Sequence, residues 1–136
     1  MVALRGIVAT DGLHLDLPAL PRELAGLRRA ARAWLGGIGV NDETAVEIVV
    51  AVNEAAANAI EHAYGLRDAQ FAVLARREGD LVVFEVSDNG SWRTQHNTPD
   101  RGRGLDLIRS LMTTVDLDVR RSGTTVRLTR QVAPAN

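Results

Sequence analysis

The stretch Glu54-Ala-Ala-Ala-Asn58-Ala-Ile-Glu-His62 decides how this chain is interpreted, because its polar residues recur at steps of four. A helical period of about 3.6 residues places Glu54, Asn58 and His62 on one face of a helix. The small alanines around them suit close packing beside a cleft. A solvated polar edge on an amphipathic helix explains the same spacing, so the stretch by itself leaves both interpretations open.

Helix signals extend on both sides of this stretch. Asn41 or Asp42 can cap the helix that contains it, and we expect this helix to reach about Tyr64. Its apolar positions are Val46, Val49, Val50, Ala56 and Ile60. A preceding helix is predicted over residues 21–37. A third, short helix is predicted from the apolar positions Leu105, Ile108, Leu111 and Met112.

Strands are predicted where short apolar segments are bounded by turn formers. These segments are Val2 to Ala9, Leu13 to Leu17, Ala69 to Arg77, Leu81 to Ser87, Val115 to Arg121 and Thr124 to Val132. Because helices and strands come in mixed order, we predict an α+β two-layer sandwich. Its sheet would be mixed and mostly antiparallel, with the helices on one face.

A long polar loop is predicted from Asp88 to Arg103. It opens with Asp88-Asn89-Gly90 directly after a strand and closes with Gly102-Arg103-Gly104 directly before a helix. Glycines at a helix start let backbone N–H groups approach an anion, and the helix dipole favours negative charge there. Ordinary turns also use aspartate and glycine, so the pattern indicates a phosphate site without establishing one.

Composition excludes several other chemistries. The 136 residues include 16 basic ones, all of them Arg, and contain neither Lys nor Cys. A Walker-A loop, the protein-kinase signature and a pyridoxal-phosphate site all need Lys, whereas disulfides and Cys-ligated zinc need Cys. A net charge of −1 gives no bulk attraction to nucleic acid or membrane, and no apolar run approaches the ~18 residues that span a bilayer. We therefore expect one soluble, cytoplasmic domain over residues 1–136.

Four ordered segments resemble the N, G1 and G2 boxes and the final G-T motif of the GHKL ATPase superfamily. They are Glu54 to Tyr64, Val86 to Gly90, Arg101 to Leu105 and Gly123 to Val126. Within that superfamily the chain is most similar to the anti-sigma-factor serine kinases of bacteria. This resemblance implies the Bergerat, or histidine-kinase-like ATPase, fold in a single ATP-binding domain whose motif-bearing core is about residues 13–131.

The resemblance also implies a role for each motif residue. Glu54 would be the general base that takes a proton from the attacking hydroxyl, and Asn58 would coordinate Mg²⁺. Asp88 would accept a hydrogen bond from the adenine amino group, Thr124 would support that carboxylate, and Gly90 would leave room for the ring. The phosphates would meet the start of the third helix at Arg101, Gly102, Arg103, Gly104 and Leu105. The two arginines also fit a solvated loop.

The function implied is that of an ATP- and Mg²⁺-dependent protein serine/threonine kinase. It would phosphorylate a STAS-type antagonist and regulate a sigma factor by partner switching. The alternative is a non-catalytic, nucleotide-dependent module that sequesters a sigma factor or regulates a linked phosphatase domain. The short segment between Gly90 and Gly102, and Trp92 where the family often has a second glycine, favour this alternative. The resemblance further implies a homodimer through the N-terminal strand or a sheet edge.

One basic cluster stands apart from these motifs. It consists of Arg22, Arg28, Arg29 and Arg32 in and before the first predicted helix. No aromatic residues are interleaved with it, so a nucleic-acid site is not indicated. A solvated face and a protein-contact surface both remain open.

Overall fold

The computed structural model describes residues 6–9, 12–63, 68–88 and 99–133, with the backbone alone for 6–9 and 99–103. Its strands are β1 (Gly6–Ala9), β2 (Gly12–Pro18), β3 (Gln70–Glu78), β4 (Leu81–Asp88), β5 (Thr114–Arg120) and β6 (Gly123–Gln131). Its helices are a 3₁₀ turn (Pro21–Glu23), α1 (Leu24–Gly37), α2 (Asp42–His62) and α3 (Pro99–Leu111). None of these helices is long and apolar enough to span a membrane.

The six strands form one sheet in the order β1-β2-β3-β4-β6-β5. Each neighbouring pair is antiparallel, with Ile7 opposite His14 at one edge and Val115 opposite Leu128 at the other. The sheet is thus antiparallel throughout, whereas the sequence predicts a mixed, mostly antiparallel one.

The connections explain this difference. Two helices, α1 and α2, join β2 to β3. Their contacts show that they run antiparallel: Arg28 contacts Asn53, whereas Arg32, further along α1, contacts Asp42 at the beginning of α2. Such a helix pair returns the chain to the end of the sheet that it left, so β3 runs opposite to β2. A single helix, α3, joins β4 to β5, which run in the same direction. β6 lies between them, however, and separates the two strands that could have formed a parallel pair.

α1 and α2 cover one face of the sheet, as predicted. α1 buries Leu27, Ala31, Trp34 and Leu35 in the same core as Val73, Phe84 and Leu128 of the sheet. Trp34 meets Phe84 edge to face, with ring centroids 5.6 Å apart and planes at 85°, a favourable aromatic geometry. The opposite face is polar, and there Arg127 Nε donates to Glu85 Oε2 over 2.8 Å. The molecule is therefore a two-layer sandwich with one open face.

α2 begins as the sequence predicts and buries three of its five expected apolar positions, Val49, Ala56 and Ile60, but not the other two. Asn41 caps it, since its Oδ1 accepts a hydrogen bond of 2.8 Å from the Thr44 backbone N–H. Val46 and Val50, two of the expected apolar positions, are 45% and 41% exposed. The buried stripe consists of Ala45, Ile48, Val49, Ala51, Val52, Ala55, Ala56, Ala59 and Ile60. Because the first half of α2 is apolar on nearly every side, its periodicity does not select the buried face.

α3 begins earlier than predicted. The sequence indicates a loop up to Arg103, but the helix starts at Pro99 and includes Gly102 and Gly104 in its first two turns. Proline is favoured at the first position of a helix, where its missing N–H has no intrahelical partner to lose. The polar run from Pro99 to Gly104 has no apolar period, and this is why the sequence pattern begins only at Leu105.

Arg130 of β6 ties two helices to the sheet. Its Nη1 donates to the backbone oxygen of Leu111 over 2.6 Å, and its Nη2 donates to Glu47 Oε1 over 2.8 Å. The first bond satisfies a carbonyl at the C-terminus of α3, where a cation is also favoured by the helix dipole. The second bond reaches the first half of α2. Together they fix the C-terminal end of α3 against α2.

Candidate functional site

The polar face of α2 meets the beginning of α3. Gly104 is buried there, and a Cβ placed on it would lie 3.1 Å from Glu54 Oε2 and 3.4 Å from Asn58 Nδ2. The first distance is shorter than an ordinary carbon contact, so a side chain at position 104 would require Glu54 to move by a few tenths of an ångström. The three residues that the sequence assigns to the base, the metal ligand and the phosphate-binding turn therefore converge.

The apolar face of α3 explains this convergence. Gly104, Ile108 and Met112 follow one another at steps of four and are all buried, while Leu105 and Leu111 pack beside them half-buried. Ile108 and Met112 belong to the main hydrophobic core. Anchoring this stripe directs Gly104 toward α2. The side chain of Leu105, a residue expected in the phosphate-binding turn, packs half-buried against the core.

A second pair of predicted residues lies at the end of β4. Asp88 is directly opposite Thr124 of β6, and both residues are buried, at 9% and 3% exposure. The hydroxyl of Thr124 has no hydrogen-bond partner among the described residues. A buried hydroxyl without a hydrogen-bond partner costs solvation free energy. Thr124 is therefore suited to a polar ligand that supplies a hydrogen bond beside Asp88.

His62 connects the two groups. It is the last residue of α2, and its Nδ1 lies 4.0 Å from Asp88 Oδ2, within ion-pair distance. The two side chains are only 9% and 7% exposed. The polar face that starts at Glu54 and continues through Asn58 therefore ends against the carboxylate of β4. The spacing of four in the sequence predicts that His62 shares a helical face with Glu54 and Asn58. It does not predict that His62 lies next to Asp88.

The roles of all the predicted site residues remain predictions, and for five of these residues the side chain is not described. Gly90 and Trp92 lie outside the described residues. Arg101, Gly102 and Arg103 belong to the first turn and a half of α3, where the backbone alone is described. The site is thus defined by Glu54, Asn58, Gly104, Asp88, Thr124 and His62.

The basic cluster lies on the outer side of the helix layer. Arg28, Arg29 and Arg32 line a shallow groove of about 470 Å³ together with Ala25, Ala33 and Val49. Arg28 Nη1 donates to Asn53 Oδ1 over 3.0 Å, and Arg32 Nη2 lies 3.4 Å from Asp42 Oδ1. The groove has an apolar floor and cationic walls, which suits a protein surface that carries carboxylates.

Comparison with known proteins defines the class. A family model described as a histidine kinase-like ATPase domain matches residues 17–130. The chain belongs to this family, and the resemblance drawn from its motifs is confirmed. Within the family it is similar to the serine-protein kinase RsbW of Bacillus subtilis (strain 168), with 26% identity over 88% of this chain and 85% of RsbW. RsbW of Bacillus pumilus (strain SAFR-032) is 27% identical over the same shares.

Solved structures agree with this assignment. The structure of the RsbU and RsbW domains of Rv1364c from Mycobacterium tuberculosis superposes with a TM-score of 0.75 and 29% identity over 92% of this chain. This chain spans about a third of that one, 34%. The SiaB-SiaC complex from Pseudomonas aeruginosa matches with a TM-score of 0.64 and 16% identity, covering 93% of this chain and 90% of the matched chain, and shares the fold alone. The α+β two-layer architecture predicted from the sequence is confirmed.

Proposed function

We propose that this chain binds ATP with Mg²⁺ and phosphorylates a serine or threonine of a STAS-type antagonist, thereby regulating a sigma factor by partner switching. The convergence of Glu54, Asn58 and Gly104 is the observation that carries the proposal. The homology of the chain to RsbW, a serine-protein kinase, supports the same chemistry. This function places the protein in the bacterial cytoplasm, where sigma factors act.

The adenine ring would bind at Asp88 and Thr124. A buried carboxylate accepts hydrogen bonds and donates none, so Asp88 selects a base whose edge carries an amino group. The unpartnered hydroxyl of Thr124 would bind the ring or a water that bridges to it. Gly90, beyond the end of β4, would leave room for the ring. A purine without an amino group at this edge would lose this hydrogen bond, at a cost of about 1–3 kcal/mol.

The phosphates would lie at the beginning of α3. Gly104 has no side chain to block the space beside Glu54 and Asn58, and the backbone N–H groups and dipole of a helix start favour anions. Gly102 and the guanidinium groups of Arg101 and Arg103 would add to this phosphate-binding turn. Asn58 offers the amide oxygen that suits Mg²⁺, which takes few protein ligands and completes its shell with water and phosphate. The bound ion would neutralise charge on the phosphate oxygens.

Glu54 would act as the general base. As its oxygen attacks, the substrate hydroxyl gives its proton to the Glu54 carboxylate, a bond forms between that oxygen and the terminal phosphorus, and the bond to ADP breaks. Oε2 of Glu54 faces Gly104 and therefore the phosphate-binding turn. The helix holds the carboxylate and the amide of Asn58 one turn apart, so the base and the metal ligand keep a fixed separation.

The groove on α1 would be the contact surface for a protein partner. Arg29 and Arg32 border its apolar floor, and the short chain segment from Pro21 to Gly37 carries four arginines against a single Glu23, although the whole chain has a net charge of −1. This concentration of positive charge would attract an acidic surface of the antagonist or the sigma factor. Homodimerisation through β1 or another sheet edge stays part of the proposal.

A phosphoryl-transfer assay tests the proposed function. The protein is incubated with radiolabelled ATP, Mg²⁺ and a STAS-type protein encoded in the same genome, and the label is followed on a gel. We expect label on a serine or threonine of the STAS-type protein and none when Glu54→Gln replaces the wild type. Tight ADP binding by calorimetry without transfer to any candidate antagonist would instead support the non-catalytic binding module.

A further inference from the structure

We propose that His62 is a positioning residue for Asp88, which it holds in the orientation that accepts the adenine amino group. The proposal rests on the ATP-binding function proposed above. It assigns a role to the third member of the polar face, which neither the base nor the metal ligand requires. The observation behind it is the approach of two buried side chains from different layers, the helix layer and the sheet.

The contact is made where solvent screening is weak. His62 Nδ1 and Asp88 Oδ2 are 4.0 Å apart, and both side chains are more than nine-tenths buried. In such surroundings a donor on an imidazole attracts a carboxylate far more strongly than it would in water. Because 4.0 Å exceeds a hydrogen-bond distance, the restraint is electrostatic: an imidazole with its proton on Nδ1 favours the orientation in which the Asp88 carboxylate faces it. Thr124 lies directly opposite Asp88 on β6, so the carboxylate lies between the sheet and α2.

The helix transmits this restraint to the other end of the site. His62 follows Asn58 by one turn and Glu54 by two, so about 6 Å of rigid helix separates successive members of the face. α2 thus carries the base, the metal ligand and the support of the adenine carboxylate on one element. Fraying of the last turn of α2 would remove the contribution of His62 to the orientation of Asp88. Purine recognition therefore depends on the last turn of α2.

A packing role for His62 makes a different prediction. If its ring only fills space between α2 and β4, its replacement lowers the affinity for every nucleotide by the same factor. If it positions Asp88, the loss is confined to nucleotides that carry the amino group, because only they use the oriented carboxylate. The two roles are therefore separated by comparing two ligands that differ in that group alone.

The test measures ADP and purine riboside 5′-diphosphate, which lacks the amino group, by calorimetry with Mg²⁺. His62→Leu removes both ring nitrogens, His62→Asn keeps an N–H at the position of Nδ1, and His62→Gln moves it to the position of Nε2. We expect His62→Leu and His62→Gln to lower ADP affinity about tenfold, the size of one lost buried polar interaction, and to leave the second ligand within about twofold. His62→Asn should retain most of the wild-type preference for ADP.

Each other outcome overturns the proposal. Equal losses for both ligands, or the same result for His62→Asn and His62→Gln, would assign His62 to packing alone. Thermal melting of each variant checks its folding, and if His62→Leu does not fold, the two amide variants decide. A wild-type protein that binds neither ligand would remove the proposed ATP function itself. If all three His62 variants keep the wild-type preference for ADP, the proposed ATP function stands and only the role of His62 is removed.

Discussion

Gly104 at the beginning of α3 faces the carboxylate of Glu54 so closely that one added carbon would lie 3.1 Å from Oε2. A side chain at position 104 would therefore require Glu54 to give by a few tenths of an ångström. The first prediction follows from it.

Gly104→Ala should lower phosphoryl transfer by at least about tenfold, because a shift of a few tenths of an ångström in the base misaligns the reacting groups. Gly36→Ala is the matched control, since a Cβ at that helical position meets nothing within 4 Å. It should leave transfer unchanged and stabilise the fold by about 0.4–1 kcal/mol. Initial rates and urea unfolding measure both effects. Equal rates for the two variants would contradict the role of Gly104.

Glu54→Gln should reduce transfer by about 10²–10⁴-fold, the usual contribution of a general base, and should leave ADP affinity within about threefold. The amide keeps the size of the carboxylate but cannot take the proton. Glu61→Gln, at an exposed position of the same helix, is the control and should retain the wild-type rate. Single-turnover rates with a phosphorylatable antagonist provide the measurement, and undiminished transfer in Glu54→Gln would rule out this carboxylate as the base.

Thr124→Val should lower the affinity for ADP without changing the stability of the fold. The hydroxyl has no hydrogen-bond partner among the described residues, so its replacement by an isosteric methyl should change the free energy of unfolding by less than about 0.5 kcal/mol. ADP affinity should nevertheless fall about five- to tenfold, because the ligand or its bridging water loses a partner. Thr125→Val, whose side chain points to the other face of β6, should keep the affinity. A large loss of stability with unchanged affinity would argue against the site.

Arg130→Met should destabilise the protein by about 1–3 kcal/mol, because it leaves the Leu111 carbonyl and Glu47 without the donors that they now have. Arg127→Met is the control on the opposite face of the same strand. Its ion pair with Glu85 involves an exposed arginine, and the loss should stay below about 1 kcal/mol. Urea unfolding curves compare the two. Similar losses would mean that Arg130 does not fix α3 to the sheet.

Arg29→Glu should weaken binding to the antagonist or the sigma factor about tenfold and make the remaining affinity less dependent on salt, since the groove then repels an acidic partner. Arg121→Glu makes the same charge change in the exposed turn between β5 and β6 and should have little effect. ADP affinity serves as the folding check for both. Partner binding that is insensitive to Arg29→Glu would leave the groove a solvated surface.

Local patterns predict much of this fold and part of its site. Glu54, Asn58 and His62 share a helical face because only the helical period is needed to place them. The buried stripe of α2 is only partly predictable in the same way, since Val46 and Val50 are nearly as apolar as Ile48, which is buried in the core. The early start of α3 at Pro99 is also hidden, because its first turns carry no apolar residues.

Contacts between distant segments are the part that no local pattern contains. The meeting of Gly104 with Glu54 depends on how α3 packs, and that packing is directed by Ile108 and Met112 in the core. The approach of His62 to Asp88 depends on where β4 ends below α2. The resemblance to the family implies the roles of these residues. The distances between them follow only from the folded structure.

The position of β6 between β4 and β5 has a consequence for how the protein is made. β6 follows the other five strands of this sheet along the chain, yet it supplies Thr124 to the candidate site and Arg130 to the helix layer. A nascent chain that has already exposed α2 and β4 therefore still lacks one side of the proposed adenine pocket. Because long-range strand pairing is slow, we expect nucleotide affinity to develop only after β6 has paired with β4.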